Sequence, residues 1–462
     1  MRFDTIVILV GVLLLVAPAV LPTPEAMPDT AWYAAGLASA MALWWITESL
    51  PLAATALLPV AVSPIMGLMD LSDVARSYSD PLIFLFLGGF LIAKAIEKSG
   101  LHRRLAGALL GRAGSSSRGI LGVFMLCTAF LSLWISNTAS AMVVAPIAAA
   151  VAKSQADTPH FATTLMLGVA FSATIGGMGS LIGTPPNAIF AAYVRTSYGV
   201  DVGFAQWAAV GIPVSSVLLL VTWFALTRVS PRLPSSSLKL TYGTPQSAIQ
   251  DAELRVAIIA GLTALAWVSR PLIERVFPTI ELSDAGIAMI AALTLFICSD
   301  GKGGRLLDWK AAASLRWDVL ILFGGGLALA GVIQQSGLAT WIGGSARLVG
   351  DWPQILVLLF IAALIVFVGE LASNTAMAAI FLPIAGAIAT GVGSDPVAFL
   401  LPIAMAASIG FMLPVATPPN AIVFADPAVT RSDMLRAGAP LDVVSLLVTV
   451  GLASVLGSLV LG

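Results

Sequence analysis

Two short motifs, each present twice, hold the residues best suited to chemistry in this chain. Ser136-Asn137-Thr138 recurs 237 residues later as Ser373-Asn374-Thr375, and Thr184-Pro185-Pro186-Asn187 recurs 233 residues later as Thr417-Pro418-Pro419-Asn420. Proline lacks an N–H and disfavours helix in the residue before it, so each Thr-Pro-Pro-Asn should unwind a turn of the apolar segment around it. Such a turn exposes carbonyls, which ligate hard cations such as Na⁺. The helix that resumes after it offers free N–H groups and a positive dipole end to an anion. Asn, with donor and acceptor on one amide, and the Ser and Thr hydroxyls serve both needs. The set therefore suits a small anion bound beside a coupling cation. Either motif alone would serve equally well to bond neighbouring helices; their ordered recurrence argues for a site.

The elements that carry these motifs must lie in a membrane. Of 462 residues, 58% are hydrophobic and only 10% are charged, with a mean hydropathy of +0.98. Twenty-three basic and 24 acidic residues cannot solvate a globule of this size. A soluble enzyme, a nucleic-acid binder and a secreted disulfide scaffold are excluded, and a β-barrel would alternate over segments of about ten residues. The expected class is an all-α polytopic membrane protein of about 11 transmembrane helices plus two re-entrant hairpins. Full or partial spans are expected near 5–21, 31–47, 50–67, 82–98, 162–195, 205–227, 254–272, 284–299, 318–335, 397–425 and 440–461. Stretches 119–151 and 353–390 each have a polar centre. Folded at that centre, the first has limbs of about 24 Å, short of a hydrocarbon core of roughly 30 Å, so hairpins that enter and leave on one side are expected. Residues 5–21 read as a retained helix rather than a signal peptide, since Asp4 and the lack of a clean cleavage site fit the latter poorly. With the N-terminus in the cytoplasm, alternation puts 18 of the 23 basic residues inside and 5 outside, in accord with the positive-inside rule.

The recurrence extends beyond the two motifs. Phe86, Gly88, Gly89, Ser99, Gly100 and Leu101 match Phe323, Gly325, Gly326, Ser336, Gly337 and Leu338 in the same order. Charge starts the helix at 82–98 outside and its copy at 318–335 inside, so the repeats are expected to be inverted, as in many secondary transporters. The domain expectation is N-terminal scaffold helices 1–81, a first repeat 82–228 with a cytoplasmic-side hairpin, and a linker 229–252. Scaffold helices 253–317, a second repeat 318–438 with an outer-side hairpin, and a C-terminal helix 439–462 follow.

No Lys or Arg falls within 119–152, 162–194 or 348–430. A dianion at membrane depth needs neutralising, and bound cations are the available source, which favours cation-coupled symport. Glu48 and Glu370 are the notable carboxylates near spans. Trp44 and Trp45 read as an interfacial belt, the paired glycines as close helix packing, and His102 and His160 as solvated loop residues. Cys127 and Cys298 form neither a disulfide framework nor a thiolate metal site. No cluster of Asp, His, Cys or Lys suggests an enzyme, and duplicated hairpins in one chain argue against a channel.

At these residues the chain resembles the divalent anion–sodium symporter family, which carries di- and tricarboxylates or sulfate. The resemblance covers most of the chain, including Trp44-Trp45-Ile46-Thr47-Glu48 with Pro51, the stretch Ala54 to Pro59, both Ser-Asn-Thr tips and both Thr-Pro-Pro-Asn turns. It implies no enzyme activity, no cofactor beyond Na⁺ as coupling ion, and a homodimer of protomers with scaffold and transport domains, the latter moving as an elevator. It implies a first sodium site at Ser132, Ser136, Asn137 and Gly183, and a second at Ala372, Asn374 and Ala416. Substrate carboxylates would meet Asn137, Thr138, Thr184, Asn374, Thr375, Thr417 and Pro418. Family members commonly carry a hydroxyl four positions before the second Ser-Asn-Thr; here Gly369 stands there, while Ser132 fills the matching place in the first half. The function implied is sodium-coupled symport of C4-dicarboxylates in the cell (inner) membrane. Sulfate or citrate transport, sodium-independent exchange, and a proton-coupled carrier of similar architecture are the alternatives.

Overall fold

The computed structural model describes residues 3–112, 114, 116–153, 159–229, 248–277, 279, 282–346 and 352–461, and they form helices joined by short turns. Most of the expected linker, and Arg347, lie outside the described residues. Eight of the described helices are long and apolar enough to cross a membrane by length and composition. They differ in what surrounds them. His160–Met178 is 89% buried over its apolar window, whereas Asp251–Val276 is 17% buried. The latter exposes Leu254, Ile258, Leu262, Leu265 and Leu272, the lipid-facing surface that a membrane helix presents in place of a charged one.

The matching sequences adopt matching local structure. Helix Pro81–Ser99 and helix Trp317–Gln335 each stop at a left-handed glycine, Gly100 and Gly337, both with φ of 83°. Only glycine adopts that conformation without a Cβ clash. Short helices Leu101–Leu110 and Leu338–Ala346 follow. Next come the hairpins, Ser117–Ser132 with Asn137–Lys153 and Gln354–Gly369 with Asn374–Gly391. At 16 to 18 residues each, these limbs are about 24–27 Å long. Both expected breaks are present: Pro159–Met178 resumes as Pro185–Tyr198, and Pro396–Ala406 as Pro418–Phe424.

Several expectations are corrected. Residues 50–67 hold two five-residue helices, Leu52–Ala56 and Leu58–Val62; Pro51 caps the start of the first, and Pro59 near the start of the second marks the break. Trp44 and Trp45 are buried; their indoles donate to the carbonyls of Val7 and Leu52, so they anchor helix contacts rather than an interface. His102 is buried on a short amphipathic helix, its Nδ1 3.0 Å from the Ile96 carbonyl. The glycines do permit close packing: a Cβ on Gly88 would lie 2.5 Å from that of Ala288, and one on Gly325 2.4 Å from the Ala56 carbonyl oxygen.

Candidate functional site

Four helices begin around one cavity. Asn137 and Asn374 open the second limbs of the two hairpins, and Pro185 and Pro418 open the helices after the two breaks. The cavity between them is about 600 Å³ and is lined by Ser136, Asn137, Thr138, Gly183, Thr184 and Pro185 from the first half. From the second half come Ala372, Ser373, Asn374, Thr375, Ala416, Thr417 and Pro418. Every substrate residue expected from sequence thus lies on one surface. So do the residues assigned to both cation sites, apart from Ser132, which sits behind the first tip. Helix N-termini carry partial positive charge, so their convergence adds positive character to the part of the cavity lined by the Ser-Asn-Thr and Thr-Pro-Pro residues.

The first tip closes through Ser132. Its hydroxyl oxygen lies 2.6 Å from both Asn137 Oδ1 and the Ala173 carbonyl, and its single proton serves one of them at a time. Asn137 Oδ1 lies so near Gly177 that a Cβ there would approach within 2.3 Å; one on Gly183 would lie 2.5 Å from the Gly177 carbonyl oxygen and 3.0 Å from that of Ser132. A hydroxyl, an amide oxygen and backbone carbonyls therefore converge, an all-oxygen set of the kind a hard monovalent cation takes. Ser136 instead accepts from the Ala139 N–H at 3.2 Å, capping the helix it precedes.

The second tip is built differently. At Gly369 there is no hydroxyl. Glu370, 1% exposed, turns both carboxylate oxygens to the backbone, accepting from Met412 N–H at 3.0 Å and Leu413 N–H at 2.7 Å. Asp442, fully buried, accepts from Phe411 N–H at 3.1 Å through one oxygen, and its other oxygen has no hydrogen-bond partner. Three successive N–H groups of the second break are thus held by two carboxylates. Glu370 spends both its oxygens on the turn, with Oε1 3.6 Å from where a Cβ on Gly410 would be. Asn374 reaches the Ser408 carbonyl at 3.4 Å.

Three features lie at the cavity or behind it without a role assigned from sequence. Among the described residues lining the cavity, the basic ones are Lys94 and Arg316, paired with Glu97 at 3.3 Å and Asp318 at 2.8 Å. Both lie outside the charge-free stretches, Lys94 on the helix that opens the first repeat and Arg316 just before the helix that opens the second. Glu48 also lines the cavity, exposed and left-handed at φ 50° at the end of helix Asp29–Thr47. Asn187 and Asn420, fully buried, bind the unwound turns from within.

Comparison with known proteins follows the same lines. The model of the sodium:sulfate symporter transmembrane region matches residues 2–462. The chain belongs to the sodium:sulfate symporter family. As a member it is a multi-pass membrane transporter, not an enzyme. It is similar to the sodium-dependent dicarboxylate transporter SdcS of Staphylococcus saprophyticus, 35% identical over 96% of this chain and 89% of that protein. The SdcS of Staphylococcus aureus strain USA300 is 36% identical, covering 98% of this chain and 91% of its own length. In fold, this symporter-family chain is similar to the crystal structure of the Alcanivorax borkumensis YdaH transporter. The TM-score is 0.56 at 15% identity, covering 83% of this chain and 86% of that one.

Proposed function

We propose that this protein is a sodium-coupled symporter of C4-dicarboxylates such as succinate, malate and fumarate, working by elevator-type alternating access. The observation that carries this reading is the single cavity onto which both Ser-Asn-Thr tips and both Thr-Pro-Pro turns open. The names of the SdcS relatives support the ion and the substrate class. Asn137, Thr138, Thr184, Asn374, Thr375, Thr417 and Pro418 meet the two carboxylates. Ser132, Ser136, Asn137 and the Gly183 carbonyl hold one sodium ion; Ala372, Asn374 and Ala416 hold the other through backbone and amide oxygens. Each bound ion offsets part of the dianion's charge, so ions and substrate cross together.

The architecture follows the repeat. The hairpins are re-entrant, the halves inverted, and domains are divided as 1–81, 82–228, 229–252, 253–317, 318–438 and 439–462. Equivalent residues Phe86 and Phe323 meet edge to face, ring centres 5.0 Å apart; such self-pairing is what a twofold relation between halves gives. The protein sits as a homodimer in the cell (inner) membrane with its N-terminus in the cytoplasm. Because Lys94 and Arg316 belong to the cytoplasmic set, the cavity they line faces inward, and the described conformation is the inward-open one.

Succinate uptake into proteoliposomes under an inward sodium gradient tests the reading, against choline and against vesicles preloaded with succinate. Sodium-driven uptake without internal succinate supports symport. Uptake only into preloaded vesicles would instead support exchange, a reading favoured by the missing hydroxyl at Gly369. Silence with succinate but uptake of sulfate or citrate would move the substrate and keep the site.

A further inference from the structure

Asn187 and Asn420 make the same unusual contacts. Asn187 Nδ2 donates to the carbonyls of Gly177 at 3.1 Å and Ser180 at 2.8 Å. Asn420 Nδ2 donates to those of Gly410 at 3.1 Å and Leu413 at 3.0 Å. All three members of one set lie 233 residues from their counterparts in the other. The shared carbonyl has a second donor in each half: Gly183 N–H reaches Ser180 at 3.1 Å, and Ala416 N–H reaches Leu413 at 3.2 Å. One side-chain amide thus closes the short turn that ends at Gly183, and the other closes the turn that ends at Ala416. Both side chains are fully buried, and neither amide oxygen has a partner. Burying an amide with half its capacity unused is costly, so these are poor choices for packing alone. An aspartate of the same shape would offer only acceptors when ionised.

We propose that Asn187 and Asn420 are positioning residues for the two sodium sites. Neither touches the ion. Each fixes the backbone whose carbonyl the ion meets, at Gly183 in the first half and Ala416 in the second. The inference rests on the sodium reading above and extends it to two residues inside the fold. It also predicts an order. The first site keeps a side-chain hydroxyl, Ser132, whereas the second has Gly369 in that place and leans more on its backbone, so loss of Asn420 should cost more sodium affinity than loss of Asn187.

The experiment measures melting of the purified full chain in detergent as sodium chloride replaces choline chloride, together with the sodium and succinate half-saturation of uptake in proteoliposomes. Removing two hydrogen bonds from a buried turn should raise the sodium midpoint about ten-fold or more in N187A and further in N420A. Half-saturation by succinate at saturating sodium should change far less. N187S and N420S, which keep one hydroxyl donor, should fall between and serve if an alanine variant does not fold. Variants that lose turnover or stability while their sodium midpoint stays at the wild-type value would overturn the inference. A wild-type protein whose melting ignores sodium would overturn the sodium reading itself, and the inference with it.

Discussion

The two unwound turns solve one problem by different means. Each is stapled from inside by an asparagine amide, and each ends at a residue that lines the cavity, Gly183 or Ala416. In the first, four glycines let helices approach, Leu133 packs against Gly179, and the Gly179 N–H is satisfied by Gly176 within the same turn. In the second, the place of Leu133 is taken by Glu370, and the N–H groups of 411 to 413 go to Glu370 and Asp442. The first half puts a neutral hydroxyl at its proposed cation site; the second puts two carboxylates behind its own. A repeat can thus keep a shape while changing what makes that shape attractive to an ion, and the two halves need not bind sodium equally well.

The largest effect should come from what both halves share. Asn137→Ala and Asn374→Ala each remove a tip amide from the cavity and should abolish succinate uptake while leaving membrane expression intact. Near-normal uptake in both, measured in proteoliposomes, would show that the tips are not the site.

Next comes the carboxylate pair. Glu370→Gln leaves one backbone N–H facing an amide donor, and hydrogen bonds to charged groups contribute about 1.5–3 kcal/mol each. A fall in melting temperature of several degrees and weakened sodium dependence are expected. Asp442→Asn keeps an acceptor for Phe411 and removes one of two buried carboxylates from this turn, so it should melt at or above the wild type. The reverse order of stability would mean that the pair is not organised as described.

How much of this was legible follows from distance along the chain. The repeated motifs are local and contain proline, so both breaks, both hairpin tips and their meeting at one cavity could be foreseen. The end of helix Pro81–Ser99 at Gly100 and of its copy at Gly337 was likewise written in a matched Ser-Gly-Leu. The second carboxylate on this turn could not be foreseen, because Asp442 lies on a helix remote in sequence from Glu370 and no periodicity links them. The staples were hidden for another reason. Asn187 stood in plain view in its motif, but its partners lie seven and ten residues earlier across an unwound turn, where helical spacing no longer applies. His102 and the short helices were misjudged because an amphipathic ten-residue segment looks like a loop when only long apolar runs are counted.

A substitution in each half sharpens the comparison directly. Ser132→Ala should make the first site resemble the second, raising half-saturating sodium by about ten-fold, the effect of losing one well-aligned buried hydrogen-bonding group. Gly369→Ser should do the opposite and lower it, since a Cβ there has room, with its nearest contact, Met377 Cγ, at 3.7 Å. If sodium titration of uptake shows the glycine variant unchanged, the second site is complete through its backbone and the charge of Glu370 suffices.

The smallest effect belongs to the cations that border the cavity. Lys94 and Arg316 are partly exposed, with side chains 30% and 67% accessible, and each already has an acidic partner. Their attraction for a dianion is therefore screened by both solvent and neighbour, and they should speed capture rather than set affinity. Lys94→Gln with Arg316→Gln should raise the succinate half-saturation about two- to five-fold at low ionic strength and hardly at all at high salt. A loss that persisted at high salt would place a basic side chain on the substrate itself. It would also remove the argument that bound sodium and helix N-termini are what neutralise the dianion.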